Sequence, residues 1–299
     1  MSNLASRARH WIWAAPAVVL LLILLIWPAA QLVRLSLYSG GGQSGFGIGG
    51  GFYKPGTWTT GAYQALLEDR YFWEILGFTM WLGAVVTAIC VVLAYPTAYW
   101  ITRLSKRWKI AVLAAVIVPK LSNLLVTIYG LKLILGDHGS INDFLQWSGM
   151  TSAPIALQNS TTGVVIGKTI LVLPYTILFL WIGLQRIDRT LVASARGLGA
   201  SPWTAFMRVT FPLSLPALAT AALVSLIWAL GAFISPYLLG GPEQITLAVD
   251  IQRQFFENLN WPRGAAEGVA MLVTLAILVA TYSWPHRWLL RHYGMEAPK

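Results

Sequence analysis

The chain has 299 residues, of which 57% are hydrophobic and only 11% charged, with a formal net charge of +10. Soluble domains carry roughly 25% charge, so this chain has too few charges to cover a water-facing surface. Its Lys and Arg residues lie in short segments between apolar runs, not clustered on one solvated face, which excludes nucleic-acid binding and points to membrane topology.

The first apolar run, Trp11–Ala30, follows Arg7, Arg9 and His10. It is long enough to cross a hydrocarbon core of ~30 Å, and further runs follow it, so it reads as an uncleaved first helix and not as a signal peptide. Five more spans are expected at Phe72–Trp100, Ile110–Leu135, Val164–Leu184, Leu213–Leu239 and Gly264–Trp284. They should be helices, because a segment in lipid must satisfy its own backbone. The fold class is therefore all-α, a polytopic bundle of six transmembrane helices. Pro96, Pro119, Pro174, Pro216 and Pro236 fall inside spans and predict kinks.

Arg7, Arg9, Arg103, Lys106, Arg107, Lys109, Arg186, Arg189, Arg196, Arg208, Arg287, Arg291 and Lys299 all fall on one side, with Asp188 and Glu296 the only acids among them. The positive-inside rule makes that side cytoplasmic and puts both termini there. The loop Tyr38–Tyr71 on the other side carries a glycine run, Gly40–Gly51, expected to be flexible. Tryptophans near span ends, among them Trp73, Trp100 and Trp108, fit an interfacial belt. Gly130, Ser225, Gly231 and Ala232 are expected to permit close helix packing.

No catalytic or metal site is readable. Gly163-Val-Val-Ile-Gly-Lys168-Thr169 resembles a phosphate loop but has three residues between its glycines where the motif needs four. His10, His138, His286 and His292 lack metal-ligand spacing, and Cys90 is a lone cysteine in an apolar run. No carboxylate of the proton-relay kind falls at a span centre. A secondary transporter or channel would need inverted repeats, broken spans and buried ionisable residues; the sequence displays none convincingly.

The segment 185–211 is longer than a connector needs to be. Asp188 is an N-cap candidate, followed by an apolar face of Leu191, Val192, Ala195 and Leu198, with Arg196 off that face. Gly199 supplies a stop, and Ser201-Pro202 a restart with serine as cap and proline at the first helical position. Trp203, Phe206, Met207 and Thr210 then share a stripe, and Pro212 is expected to end the element. Physics leaves two uses open: helices lying on anionic lipid, or a lever that docks a cytosolic partner.

The stretch ASARGLGASPWTAFMRVTFPLSLP, from Ala193 to Pro216, resembles the EAA loop of type I ABC-importer permeases. Leu135–Asn142 and Ser235–Pro242 are similar to the polyamine-type branch of that family. The resemblance implies the type I importer (MetI-like) permease fold. It implies a second permease subunit, expected to be a different chain, two cytosolic ATPases that hold the ATP and magnesium, and a periplasmic solute-binding protein, all at a bacterial inner membrane. The chain itself would be no enzyme and would hold no cofactor or metal. Residues 1–71 would be an N-terminal helix and loop, 72–290 the permease core with the coupling loop at 186–211, and 291–299 a tail. ATPase coupling would fall to Ala193, Arg196, Gly199, Ser201, Pro202, Trp203, Phe206 and Met207. One departure stands out: the family's glutamate is Ala193 here, and its first alanine is Ser194.

Polar and aromatic residues beside expected kinks, Asn123, Thr127, Tyr129, Trp228, Phe233 and Tyr237, are candidates for the translocation path. A polyamine-like cation would suit aromatic faces, with Glu243, Asp250 and Glu257 attracting it. Iron(III), thiosulfate, phosphonates and opines are the alternative solutes of this branch.

Overall fold

The computed structural model describes the backbone over residues 2–40 and 53–292, and most side chains over 18–39 and 53–282. Most of the glycine run and the tail beyond His292 lie outside the described residues. In chain order the elements are α1 (Ser2–Ser36), β1 (Tyr38–Gly40), β2 (Tyr53–Trp58), α2 (Gly61–Glu68), α3 (Arg70–Arg103), α4 (Lys106–Ile117) and a 3-10 turn (Val118–Leu121). Next come α5 (Leu124–Leu135), α6 (Ser140–Trp147), α7 (Thr161–Leu184), α8 (Arg189–Gly197), α9 (Pro202–Ala205) and a π-helical turn (Phe206–Thr210). The chain closes with α10 (Phe211–Gly231), α11 (Ile234–Leu239), α12 (Leu247–Phe256) and α13 (Trp261–His292). Among the described residues six helical stretches are long and apolar enough to cross a membrane.

Packing divides the chain into two compact units. The smaller comprises residues up to Trp73 together with Asp250–Val273. There β1 and β2 pair antiparallel, Tyr38 stacks on Tyr53 at 5.3 Å, and Ser36 and Tyr63 share a hydrogen bond of 2.6 Å between their hydroxyls. Arg263 holds both the partly buried Asp69 and the fully buried Glu267.

The larger unit comprises Glu74–Val249 and the chain from Thr274 onward. Its axis is α7, whose N-terminus is capped by Ser160 accepting from the Gly163 amide. On α3, Leu82, Val86, Cys90, Ala94 and Ala98 recur every four residues and are fully buried, one continuous helix face turned inward. Close approach to α7 occurs at Gly183, where a Cβ would collide with Ala217, and at Gly167, where it would meet Ser235 and Leu239. The glycines expected to serve this purpose, Gly130 and Gly231, have open space where a Cβ would stand. Ser225 does pack: it is buried, and its hydroxyl hydrogen-bonds that of Thr176 at 2.6 Å.

Three expectations need correction. The third span is not continuous. Pro119 lacks an N–H and its ring crowds the carbonyl one turn back, so α4 tightens into the 3-10 turn and stops. Ser122 is extended, and Asn123 restarts the chain as α5 by accepting from the Leu125 amide at 2.8 Å. The fifth span breaks as well, because Ala232 is extended (ψ 112°) between α10 and α11. Third, Pro212 does not end the second loop helix. The chain runs helically from Pro202 to Gly231. The π turn, closed by the Phe211 amide on the Phe206 carbonyl, precedes Pro212 and makes room for its missing donor.

Candidate translocation cavity and coupling loop

The two chain breaks meet at one cavity. Pro119, Lys120 and Ser122 line it from the first break, and Gly231, Ala232 and Phe233 from the second. Its volume is about 810 Å³, and α7 supplies a further wall around Pro174 and Tyr175. Irregular backbone at membrane depth is tolerated where it borders a cavity or is buried in protein, so the breaks and the cavity explain each other. Broken spans were not convincingly readable in the sequence; among the described residues the structure contains two.

Lys120 organises this space. Pro174 cannot donate to the Ile170 carbonyl. The Lys120 ammonium takes that place, donating to Ile170 O at 3.2 Å and Leu171 O at 2.5 Å. It also lies 5.4 Å from the centroid of the Tyr175 ring, which stacks on Trp228 at 4.6 Å. Among the described residues that line the cavity, Lys120 alone is charged.

Of the six path candidates, Thr127, Trp228 and Phe233 line the cavity. Asn123 is spent as the α5 cap, and Tyr129 and Tyr237 are exposed away from the cavity wall. The external acids are divided too. Glu243 is exposed, Glu257 is 3.9 Å from Arg253, and Asp250 is only 5% exposed. Sequence reasoning passed over Lys120, Tyr175 and Pro174 as a set; the available signal was a Pro-Lys pair inside an apolar run.

Two more ionisable residues prove buried, contrary to the sequence expectation. Lys168, inside α7 and not in a phosphate loop, has no exposed surface. Glu267 is equally buried near the start of α13, with one carboxylate oxygen 3.2 Å from Arg263 Nε and the other unpaired.

In the loop, the expected punctuation is present. Asp188 caps α8 by accepting from the Thr190 amide at 2.8 Å, and that bond holds its carboxyl below the usual range. Gly199 adopts φ +88°, the left-handed stop that glycine permits. Ser201 accepts from the Thr204 amide at 3.1 Å, with Pro202 at the first helical position.

The aromatic pair expected to act together is split. Trp203 is 66% exposed, and Met207 and Leu198 are exposed beside it. Phe206 turns inward, with its ring centroid 5.2 Å from Tyr99, 6.1 Å from Tyr95 and 6.3 Å from Phe211. Trp203 stacks on Phe206 at 5.7 Å, so one ring is presented outward and the next is seated on α3. Ala193 and Arg196 are exposed on α8.

The family model described as binding-protein-dependent transport system inner membrane component matches residues 91–293. The chain belongs to that family. The permease is 31% identical over 234 residues to the spermidine/putrescine transport system permease protein PotB of Escherichia coli (strain K12), covering 78% of this chain and 85% of that one. Its fold matches a bacterial ABC transporter involved in the import of alginate, with TM-score 0.74 at 18% identity over 96% of this chain and 99% of that one. It also matches that system in complex with an alginate-pentasaccharide-bound periplasmic protein, with TM-score 0.71 at 17% identity over 94% of each chain. It is therefore a multi-pass inner-membrane permease of an ABC importer with the fold expected from its loop.

Proposed function

We propose that this permease forms part of the path for a polyamine-like cation delivered by a periplasmic binding protein. The observation that carries the solute is the 31% identity to a spermidine/putrescine permease across most of both chains. The cavity supports it. Its wall presents a stacked aromatic pair, Tyr175 on Trp228, of the kind that suits a polyamine nitrogen.

The loop 188–210 faces the cytoplasm and docks an ATPase subunit. Arg196, Gly199, Ser201 and Pro202 shape it, and Trp203 and Met207 supply the exposed contact. With alanine at position 193, docking relies on apolar contact where the family uses a glutamate. ATP and magnesium belong to two ATPase subunits, and a second, different permease chain completes the path; the chain itself catalyses nothing. Both termini are cytoplasmic.

One observation favours a second reading. A cation on the cavity wall repels a cationic solute and attracts an anionic one, so a thiosulfate, phosphonate or opine suits Lys120. Reconstitution with the binding protein decides. ATP-dependent uptake of labelled putrescine or spermidine is expected; no polyamine uptake but ATP-dependent uptake of an anion supports the second reading. Uptake without ATP, driven by an ion gradient, overturns both.

A further inference from the structure

A second cavity, of about 390 Å³, lies where α8 meets the ends of α3, α4 and α7. Arg103, Lys109, Arg189 and Arg196 all line it. Among the described residues none of these four meets a carboxylate. Two of the guanidiniums are held in place. Arg103 lies 4.3 Å from the Tyr99 ring centroid and donates to the Tyr99 hydroxyl, and Arg189 donates to the Thr102 carbonyl at 2.5 Å. The nearest acid in sequence, Asp188, is spent as the α8 cap and does not line the cavity.

Four like charges around one space repel unless an anion neutralises them. Guanidinium forks match a phosphate in geometry as well as charge. Other basic residues of the same segments, Lys106, Arg107, Arg186 and Arg208, do not line the cavity, so this is a local convergence and not the general surplus of this face. Trp100 and Trp108, at 54% and 67% exposure, flank Arg103 and Lys109 and mark the headgroup level. Leu184, Ile187 and Val192 add an apolar wall.

We propose that this cavity binds the phosphate of an anionic lipid headgroup and thereby fixes α8 against the bundle. Basic pockets between membrane helices are suited to headgroups in this way. A glutamate at 193, where this chain has alanine, would place a carboxylate beside these cations and serve the same charge from within. The effect on coupling rests on reading the loop as the ATPase lever; the binding itself does not.

The test uses the assembled transporter in phosphatidylcholine nanodiscs doped with phosphatidylglycerol, with lipid retention read by native mass spectrometry. Wild type should retain phosphatidylglycerol over phosphatidylcholine. Arg103→Gln with Lys109→Gln should bring retention of phosphatidylglycerol down to that of phosphatidylcholine. Lys106→Gln with Arg107→Gln, which removes the same charge outside the cavity, should leave it unchanged. Ala193→Glu should abolish it without removing any cation, which guards against a folding defect in the double variant. An equal loss in both double variants overturns the proposal in favour of diffuse surface charge. Displacement of the lipid by millimolar inorganic phosphate would overturn the headgroup assignment in favour of a free-anion site.

Discussion

The Lys168 side chain, with no exposed surface, donates to the Ala229 carbonyl at 2.8 Å. Ala229 stands in the last turn of α10, where the break at Ala232 removes the amide that would otherwise close the helix. A buried lysine from α7 therefore does the work of a C-cap for a helix that stops inside the membrane. Lys168→Met keeps the length of the side chain and removes the donor. An unpaired buried carbonyl costs about 1–3 kcal/mol, and the apparent Tm should fall by about 2–4 °C for each kcal/mol. Thermal unfolding in detergent reads this directly; an unchanged or raised Tm would mean that relief from burying the amine outweighs the lost bond.

On the proposed docking role of the loop, the split between Trp203 and Phe206 divides contact with the ATPase from transmission to α3. Trp203→Ala removes exposed ring surface and should reduce recovery of the ATPase on co-purification while leaving the permease folded. Phe206→Ala removes a ring seated on Tyr95 and Tyr99. The ATPase should still be recovered, but transport per ATP hydrolysed should drop because the loop no longer moves with α3. Equal behaviour of the two variants in both assays would refute the division.

Local signals were legible wherever a single residue type decides the backbone. Asp188, Gly199 and Ser201-Pro202 each act through their own dihedrals or nearest amides, and the structure places every one as the sequence implies. The breaks at 118–123 and 232–233 were not legible, because an apolar run with a proline can continue as helix, as α7 does through Pro174, or stop, as α4 does before Pro119. Which occurs depends on whether a neighbour satisfies the freed carbonyls. Lys120 does so for α7 from some 50 residues away in sequence. The inward turn of Phe206 was hidden for the same reason: period places it on a stripe with Trp203, and only contact with Tyr99 tells them apart.

The Asp188 cap has a defined pH window. Its folded pKa is depressed by the Thr190 amide, so the cap contributes fully above the unfolded value of about 3.9. That contribution is lost as pH falls through the lower folded value. The α8 amides should therefore show the same intrinsic protection from pH 8 down to about 5 and loosen only in stronger acid. Asp188→Ala should show the loosened exchange at neutral pH. Hydrogen exchange of peptides spanning 189–197 measures both, and protection that changes between pH 8 and 6 would assign control of α8 to another group.

Gly183 and Gly130 make a matched pair in two membrane helices. A Cβ at Gly183 collides with Ala217 on α10, a backbone-borne group that cannot rotate away, whereas one at Gly130 meets nothing within 4 Å. Gly183→Ala should force α7 and α10 apart and cost about 1–3 kcal/mol. Gly130→Ala should be neutral or stabilise α5 by up to about 1 kcal/mol through helix propensity. Unfolding of the isolated permease gives the first comparison and assembly of the whole transporter the second. If Gly130→Ala is harmless in isolation but weakens assembly, the open face of α5 is where the second permease chain packs; if it is harmless in both, that chain packs elsewhere.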